Sequence, residues 1–263
     1  MKILFIGGSH PRHLYYANKI NKKYPLSGSI IQIRENMIPI PESNLDEHDK
    51  QNFVKHFSNR EKLEKKYFGN QELPTCSVLQ VTDDELNTEK SSNFIKSIKP
   101  DLVLIFGCSM IKNPLFENLP HNSINLHLGI SPRYRGSATL FWPFYFMEPN
   151  LAGSTFHHII SEPDAGNIIH QSTPKLELND TIHDVACKTI IQSTEDIIEL
   201  IKIFEENSSW KKFNQKGTGK NFLKNDFKAE HLRVIYDIFD DDMVKKYLEG
   251  FLDSKKINLI KQF

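Results

Sequence analysis

Short apolar runs broken by glycine or proline, each followed by an amphipathic stretch, recur along much of the chain. Ile3-Leu4-Phe5-Ile6 stops at Gly7-Gly8-Ser9-His10-Pro11, a buried strand turning into a helix that starts near Pro11. Residues 29–33 read as a second strand, and residues 36–49, with Pro39, Pro41 and several acids, as an exposed connection. Residues 48–67 form a lysine-rich helix whose Phe53, Phe57 and Tyr67 recur at helical spacing, which makes them core contacts of an amphipathic structural helix. A helix over 88–98 leads through Pro100 into Leu102-Val103-Leu104-Ile105-Phe106, the clearest buried strand after the first. Residues 123–126 and 153–160 read as strands, and 137–147, carrying Phe141, Trp142, Phe144, Tyr145 and Phe146, as buried aromatic packing. A long helix over 181–206 places Ile182, Val185, Ala186, Thr189, Ile190, Ile197, Ile201 and Phe204 on one stripe. Gly217-Thr218-Gly219 then breaks the chain before helices over 229–239 and 241–252, the second opened by Asp240, Asp241 and Asp242. This alternation predicts an α/β fold: a Rossmann-like, mostly parallel sheet over 1–206 and a small, mainly helical extension over 207–263.

Length and charge narrow the classes. The 263 residues suffice for a large core, and 33 basic against 33 acidic residues give no net charge, which argues against a broad electrostatic grip on nucleic acid. The three cysteines, Cys76, Cys108 and Cys187, form no C-x-x-C pair, so neither a disulfide framework nor a structural zinc site is expected, and a reducing cytoplasm is the expected home. The apolar core of the N-terminus is too short for a signal peptide, and no run approaches membrane-spanning length. His157 and His158 are adjacent in a strand and point to opposite faces, so no metal is expected there.

Candidate chemistry sits where strands end. The first turn lacks G-x-G-x-x-G spacing because Arg12 and His13 stand where a dinucleotide would need glycine. Its helix N-terminus can still take a phosphate, assisted by Ser9, His10 or Arg12, or it is a tight turn with solvated basic residues. Asn125-x-His127 is followed by Gly129 and by Ser131-Pro132-Arg133-Tyr134-Arg135-Gly136, and Asp164 lies in Ser161-Glu162-Pro163-Asp164-Ala165-Gly166. Acyl transfer to an amine calls for these groups. An amide donates to the oxyanion of the tetrahedral intermediate, a neutral imidazole takes the amine's proton, and a carboxylate orients or charges the imidazole. An amine is already a nucleophile, consistent with the lack of a G-x-S-x-G elbow. Arg135 and Tyr134 offer a guanidinium and a phenol beside the same pocket, Arg135 for a phosphate or to brace the loop.

The compound pattern of Asn125-x-His127, Ser131-Pro132-x-Tyr134-Arg135-Gly136 and Asp164-x-Gly166 resembles the folate-dependent formyltransferases, which include methionyl-tRNA, glycinamide ribonucleotide and sugar N-formyltransferases. The resemblance covers roughly residues 75–175. It implies that Asn125, His127 and Asp164 are catalytic and that 10-formyltetrahydrofolate is the formyl donor. It also implies that the loop Phe106-Gly107-Cys108-Ser109-Met110-Ile111 lines the folate pocket, with Glu162 nearby. Cys108 is expected to be a small filler rather than a reactive thiol.

The motif does not name the acceptor. Methionyl-tRNA enzymes of this family usually append a sizeable basic barrel and glycinamide ribonucleotide enzymes are usually shorter, which leaves a nucleotide-linked amino sugar, and a product bound for a surface polysaccharide, as the expected substrate class. Rival readings are a methionyl-tRNA or glycinamide ribonucleotide formyltransferase, a formyltetrahydrofolate hydrolase, and a folate- or nucleotide-sugar-binding protein without catalysis. The aromatic C-terminal helices, with Tyr236, Phe239, Tyr247 and Phe251, serve equally as a homodimer surface or as a lid.

Overall fold

A seven-stranded sheet organises the chain in a computed structural model that describes residues 1–215, 219–253 and 256–263. The expected break at Gly217 and Thr218 lies outside the described residues. The strands are β1 (Ile3–Gly8), β2 (Leu26–Gln32), β3 (Val78–Val81), β4 (Leu102–Phe106), β5 (Ser123–His127), β7 (Ser154–His158) and β8 (Ile168–Ser172). Their order is β3-β2-β1-β4-β5-β7-β8. The first five run parallel, while β7 pairs antiparallel with β5, and β8 with β7. The chain winds outward from β1 to β3 and then crosses to β4 on the other side. The carboxyl ends of β1 and β4 therefore frame the crevice where open α/β sheets bind ligands.

Helices cover both faces because the strands are apolar on both. β1 and β4 are buried at every position, as parallel central strands should be. One face, with Phe5, Leu104, Phe106 and Leu126, packs against α1 (Pro11–Lys23) and α6 (Ile182–Asn207) through Tyr16, Ile20, Ile197, Leu200 and Ile201. The other, with Leu4, Ile6, Val103 and Ile105, packs against Ile95 of α4 (Glu89–Ile98) and against Leu86, the last residue of the short helix α3 (Asp83–Leu86). Pro at the first position of α1 and the Thr181–Asp184 capping box of α6 set where those helices begin.

The lysine-rich helix is α2 (Glu47–Phe68), but its buried stripe is not the aromatic one. The buried positions are Asp49, Asn52, His56, Glu64 and Phe68, four polar residues at helical spacing, with Phe53, Leu63 and Tyr67 only partly buried against the cores.

The extension builds a core of its own. Strand β6 (Tyr134–Gly136) pairs in parallel with β9 (Lys220–Phe222). Leu232, Ile235, Tyr236, Met243 and Val244 then pack against Phe141, Trp142, Phe144, Ile182 and Val185. The expected helix over 229–239 is a pair of short turns, Ala229–His231 and the π-helical Val234–Ile238, and the expected helix over 241–252 is reduced to α7 (Met243–Leu248). Asp240 and Asp241 have left-handed φ of 48° and 57° and cannot begin that helix. Asp241 Oδ1 instead accepts the Ile182 N–H at 3.1 Å, capping α6 from a distance, with burial raising its carboxyl to about 6. The aromatic run is only partly interior: α5 (Trp142–Tyr145) buries Trp142 and Phe144, but Phe146 is 43% exposed. β3, β8 and β9 lie in segments whose sequence gave no strand signal. None of the helices among the described residues is long and apolar enough to cross a membrane.

Phe5 has no exposed surface and lies 6.0 Å from the Tyr16 ring, at the seam between β1 and α1. Phe5→Ala should cost about 3–5 kcal/mol in chemical denaturation, the range for emptying a well-packed aromatic site. A loss below ~1 kcal/mol would show that this seam is loosely packed.

Candidate active site

β4 and β5 lie side by side with Ile105 opposite Asn125, so residues 107–111 and the end of β5 open at the same end of the sheet. Strand alternation puts Asn125 and His127 on one face, and the antiparallel pairing of β7 sets His157 opposite Asn125. The loop after β7 then returns Asp164 to the same point.

Hydrogen bonds define how each group works. His127 Nε2 lies 2.8 Å from the Tyr134 carbonyl oxygen; a carbonyl only accepts, so Nε2 carries the hydrogen. The other ring nitrogen, Nδ1, faces Asp164 Oδ2 at 3.3 Å. Neutral His127 thus presents a lone pair at Nδ1, and the protonated ring is held by a carbonyl and a carboxylate together. Burial pushes its pKa below the ordinary 6.5, opposed by Asp164 and the Tyr134 carbonyl. His127 is therefore a neutral base at pH 7. Gly129 makes this contact possible: a Cβ there would fall 2.5 Å from the Tyr134 oxygen and 2.6 Å from His127 Nε2.

Asp164 is held from several sides. The Gly136 N–H donates to its Oδ2 at 3.0 Å, and His157 Nε2 lies 3.4 Å from its Oδ1. Burial alone would raise its pKa, but His127 and the Gly136 N–H hold the carboxyl well below the usual range. Its φ of 50° is left-handed, which aspartate tolerates better than most residues. Two residues on, a Cβ at Gly166 would strike the His158 carbonyl oxygen at 1.7 Å, so the loop can lie on β7 only with glycine there.

His157 orients the amide. Its Nδ1 donates to the His158 carbonyl at 2.9 Å, leaving Nε2 to accept from Asn125 Nδ2 at 3.2 Å. The second N–H of that amide is the donor an oxyanion requires.

The structure brings Asn125, His127 and Asp164 together, and the other expected site residues separate. Gly107, Cys108, Ser109, Met110 and Ile111 follow Phe106 at the sheet's ligand end. Ser109 N–H donates to Gln32 Oε1 at 2.7 Å, Met110 is 45% exposed, and burial pushes the Cys108 thiol up to about 12. Glu162 is exposed on the Asp164 loop, 3.7 Å from Arg135 Nη1. Ser9 Oγ accepts the Arg34 N–H at 2.9 Å and His10 Nε2 donates to the Glu35 carbonyl at 2.7 Å, so both brace residues 34–35. Arg12 pairs with Glu64 at 2.7 Å. The Tyr134 phenol is buried and donates to Glu148 at 2.8 Å, so the residue reaches the site through its carbonyl.

Two residues were not found by sequence reasoning. Alternation had placed His157 on one strand face, but only the antiparallel register with β5 brings that face to Asn125. Gln215, in the extension, donates to the Asp164 and Gly166 carbonyls at 2.7 and 2.8 Å and carries no motif that could have marked it. Among the described residues no cluster of three or more His, Cys, Asp or Glu side chains could hold a metal ion.

Comparison with known proteins gives the family and the fold. A family model described as "Formyl transferase" matches residues 40–201. The methionyl-tRNA formyltransferase of Borreliella burgdorferi (strain ZS7) is 28% identical over 109 residues, 41% of this chain and 35% of that protein, so the match spans about a third of that relative's length. Among solved structures, the formyltransferase PseJ of Anoxybacillus kamchatkensis, in complex with UDP-4,6-dideoxy-4-formamido-L-AltNAc and tetrahydrofolate, superposes with a TM-score of 0.52 at 17% identity, covering 93% of this chain and 97% of that one. An N-formyltransferase of Helicobacter canadensis, in complex with folinic acid and dTDP-3-aminofucose, gives 0.55 at 16% identity, covering 98% and 85%. At such identities the likeness is one of fold.

Because the Asp164 carboxylate raises the His127 pKa against burial, Asp164→Asn should lower it further. An NMR titration of the His127 ring reads this directly; a pKa that rises or stays put in the variant would mean that the carboxylate does not act on Nδ1.

Proposed function

This chain belongs to the formyl transferase family, and on that premise we propose that it is an N-formyltransferase. In this reading it moves a formyl group from 10-formyltetrahydrofolate to the amino group of a nucleotide-linked amino sugar. The observation that carries the reading is the state of His127: a buried imidazole with Nε2–H fixed on a carbonyl and Nδ1 free to take a proton beside a carboxylate.

The chain's own groups supply each step. As the acceptor amine attacks the formyl carbon, Asn125 Nδ2–H donates to the developing oxyanion, and His127 Nδ1 takes the proton that the amine loses. Asp164 stabilises the imidazolium. Collapse expels the donor's nitrogen, which takes the proton back from His127, so the resting protonation state is restored. The donor supplies the formyl group and its leaving nitrogen. Residues Phe106 to Ile111 are the candidate lining for it: Met110 offers an exposed apolar side chain at the sheet's ligand end, and the Ser109 backbone is anchored to Gln32.

Support for a sugar acceptor comes from extent. The two sugar-bearing complexes superpose over 93% and 98% of this chain, extension included, whereas the phosphoribosylglycinamide formyltransferase of Anaplasma phagocytophilum superposes over 85%.

His127→Asn and Asp164→Asn should each lower turnover by about 10²–10⁴-fold, the usual contribution of a positioned acid or base, while leaving donor binding intact. Mass spectrometry of reactions with 10-formyltetrahydrofolate and a panel of nucleotide-linked amino sugars, charged initiator tRNA and glycinamide ribonucleotide reads both transfer and acceptor. Formate release without an acceptor would identify a hydrolase, and wild-type turnover in both variants would remove the catalytic assignment.

A further inference from the structure

Where the extension covers α2, each polar residue of its buried stripe has a partner. Asp49 pairs with Arg233 at 2.7 and 2.8 Å, Asn52 Nδ2 donates to Asp237 at 3.0 Å, and His56 Nδ1 meets the Tyr236 hydroxyl at 3.0 Å. One and two turns further on, the pattern fails. Arg60 Nε and Glu64 Oε2 are buried with no hydrogen-bond partner, and so is His183 Nε2 on the facing helix α6. Glu64 and His183 are each 4% exposed. All three side chains, with Arg12, line one cavity of about 310 Å³ between α2, α6 and residues 138–141. Buried polar atoms are normally satisfied, and several orphaned ones converging on a single cavity mark a missing ligand.

The orphaned atoms describe that ligand. Arg60 donates through Nη2 to the Met37 carbonyl at 2.6 Å and keeps Nε for the cavity, while Arg12 reaches Glu64 Oε1 at 2.7 Å. These two permanent cations suit a phosphate. Glu64 Oε2 accepts only. His183 is tied through its other nitrogen to the His56 backbone carbonyl, and burial lowers its pKa to about 3, so Nε2 is a lone pair that also accepts. Acceptors beside cations ask for a molecule with both hydroxyl donors and an anion, and the rings of Phe57, Phe141 and Phe227 give it apolar walls. The cavity also touches the chemistry. Leu128, next to His127, lines it, as does Ala138, two residues past the Gly136 whose N–H holds Asp164.

Resting on the N-formyltransferase reading, we propose that this cavity binds the sugar-phosphate portion of the acceptor, with Arg60 and Arg12 on a phosphate oxygen and Glu64 and His183 accepting from sugar hydroxyls. A volume at the lower end of the ~300–1,000 Å³ usual for ligand pockets suits a sugar phosphate, with any nucleoside lying outside.

Calorimetric titration of the full chain with glucose 1-phosphate, UDP-glucose, dTDP-glucose and inorganic phosphate tests this, with folinic acid binding as the check that each variant is folded. Arg60→Gln should weaken all the sugar phosphates about tenfold or more, as loss of a charge-assisted contact does. Glu64→Gln should weaken the sugar phosphates but not inorganic phosphate. Ala186→Leu, which fills the cavity from α6 without touching a polar group, should abolish sugar-phosphate binding and spare folinic acid. Binding of glucose 1-phosphate alone to wild type points to a sugar monophosphate, and tighter binding of the nucleotide-linked sugars to a diphosphate. Wild type that binds none of the sugar phosphates, or binds inorganic phosphate as tightly as all of them, overturns the proposal, as do variants that bind like wild type. If the variants lose sugar phosphates but no formyl transfer occurs with any acceptor, the cavity assignment stands and the transferase reading falls.

Discussion

The contact between His127 Nε2 and the Tyr134 carbonyl decides what this site can do. It fixes one tautomer, and with that the ring nitrogen that meets Asp164 and is open to a proton. It needs β5 to end at His127, Gly129 to admit a carbonyl at van der Waals distance, and the chain to return through β6, where the next glycine donates to Asp164. The base and the loop that aims it are thus two consequences of one turn of chain after β5, and the carboxylate beside the base arrives from the loop after β7. Burial contributes the remaining property: it keeps the imidazole neutral at pH 7, while the neighbouring carboxylate limits how far the pKa falls.

The same molecule spends buried polar groups in two ways. Along the first half of α2, and at the His170–Asp196–Ser172 cluster under α6, buried charges and amides are matched by protein partners and serve as struts. Around Arg60, Glu64 and His183 they are left with unmatched atoms. An unsatisfied buried donor or acceptor costs about 1–3 kcal/mol, a cost that the sugar phosphate proposed for the cavity would offset. Apolar burial in the three cores supplies the stability against which that cost is set.

Much of the sheet was legible because its central strands are buried on both faces and read as continuous apolar runs, as at 3–6 and 102–106. Asn125, His127 and Asp164 were legible as candidates because they stand in a compound pattern that resembles a known family. What escaped depends on pairing across long separations. The short edge strand β3 is half exposed, so it carries no apolar run, and β9 is defined only by lying beside β6. The role of His157 follows from the register Asn125↔His157, which strand alternation cannot supply. The buried face of α2 was misread for the same kind of reason: a helical stripe of Asp49, Asn52, His56 and Glu64 looks solvent-facing until the extension and the cavity are known to cover it. Three consecutive aspartates, 240–242, suggest a helix start, yet the left-handed backbone at two of them sends Asp241 to cap α6 instead.

That last contact bears on how the chain divides. Helix α6 ends at Asn207, next to the boundary read at 206/207, and the residues beyond it are tied back to the sheet by several contacts. Gln215 clamps both carbonyls of the Asp164 loop, β9 completes β6 on the far side of His127, and Asp241 caps the helix that carries His183. Phe227 closes the cavity, and Gln171 of β8 exchanges hydrogen bonds with Ile260 near the carboxyl terminus, drawing the tail along the sheet edge. Each of these contacts restrains a group that the sheet alone would leave on a loop. The N-terminal sheet presents the candidate catalytic groups, and the extension supplies contacts that hold them within hydrogen-bonding distance of one another.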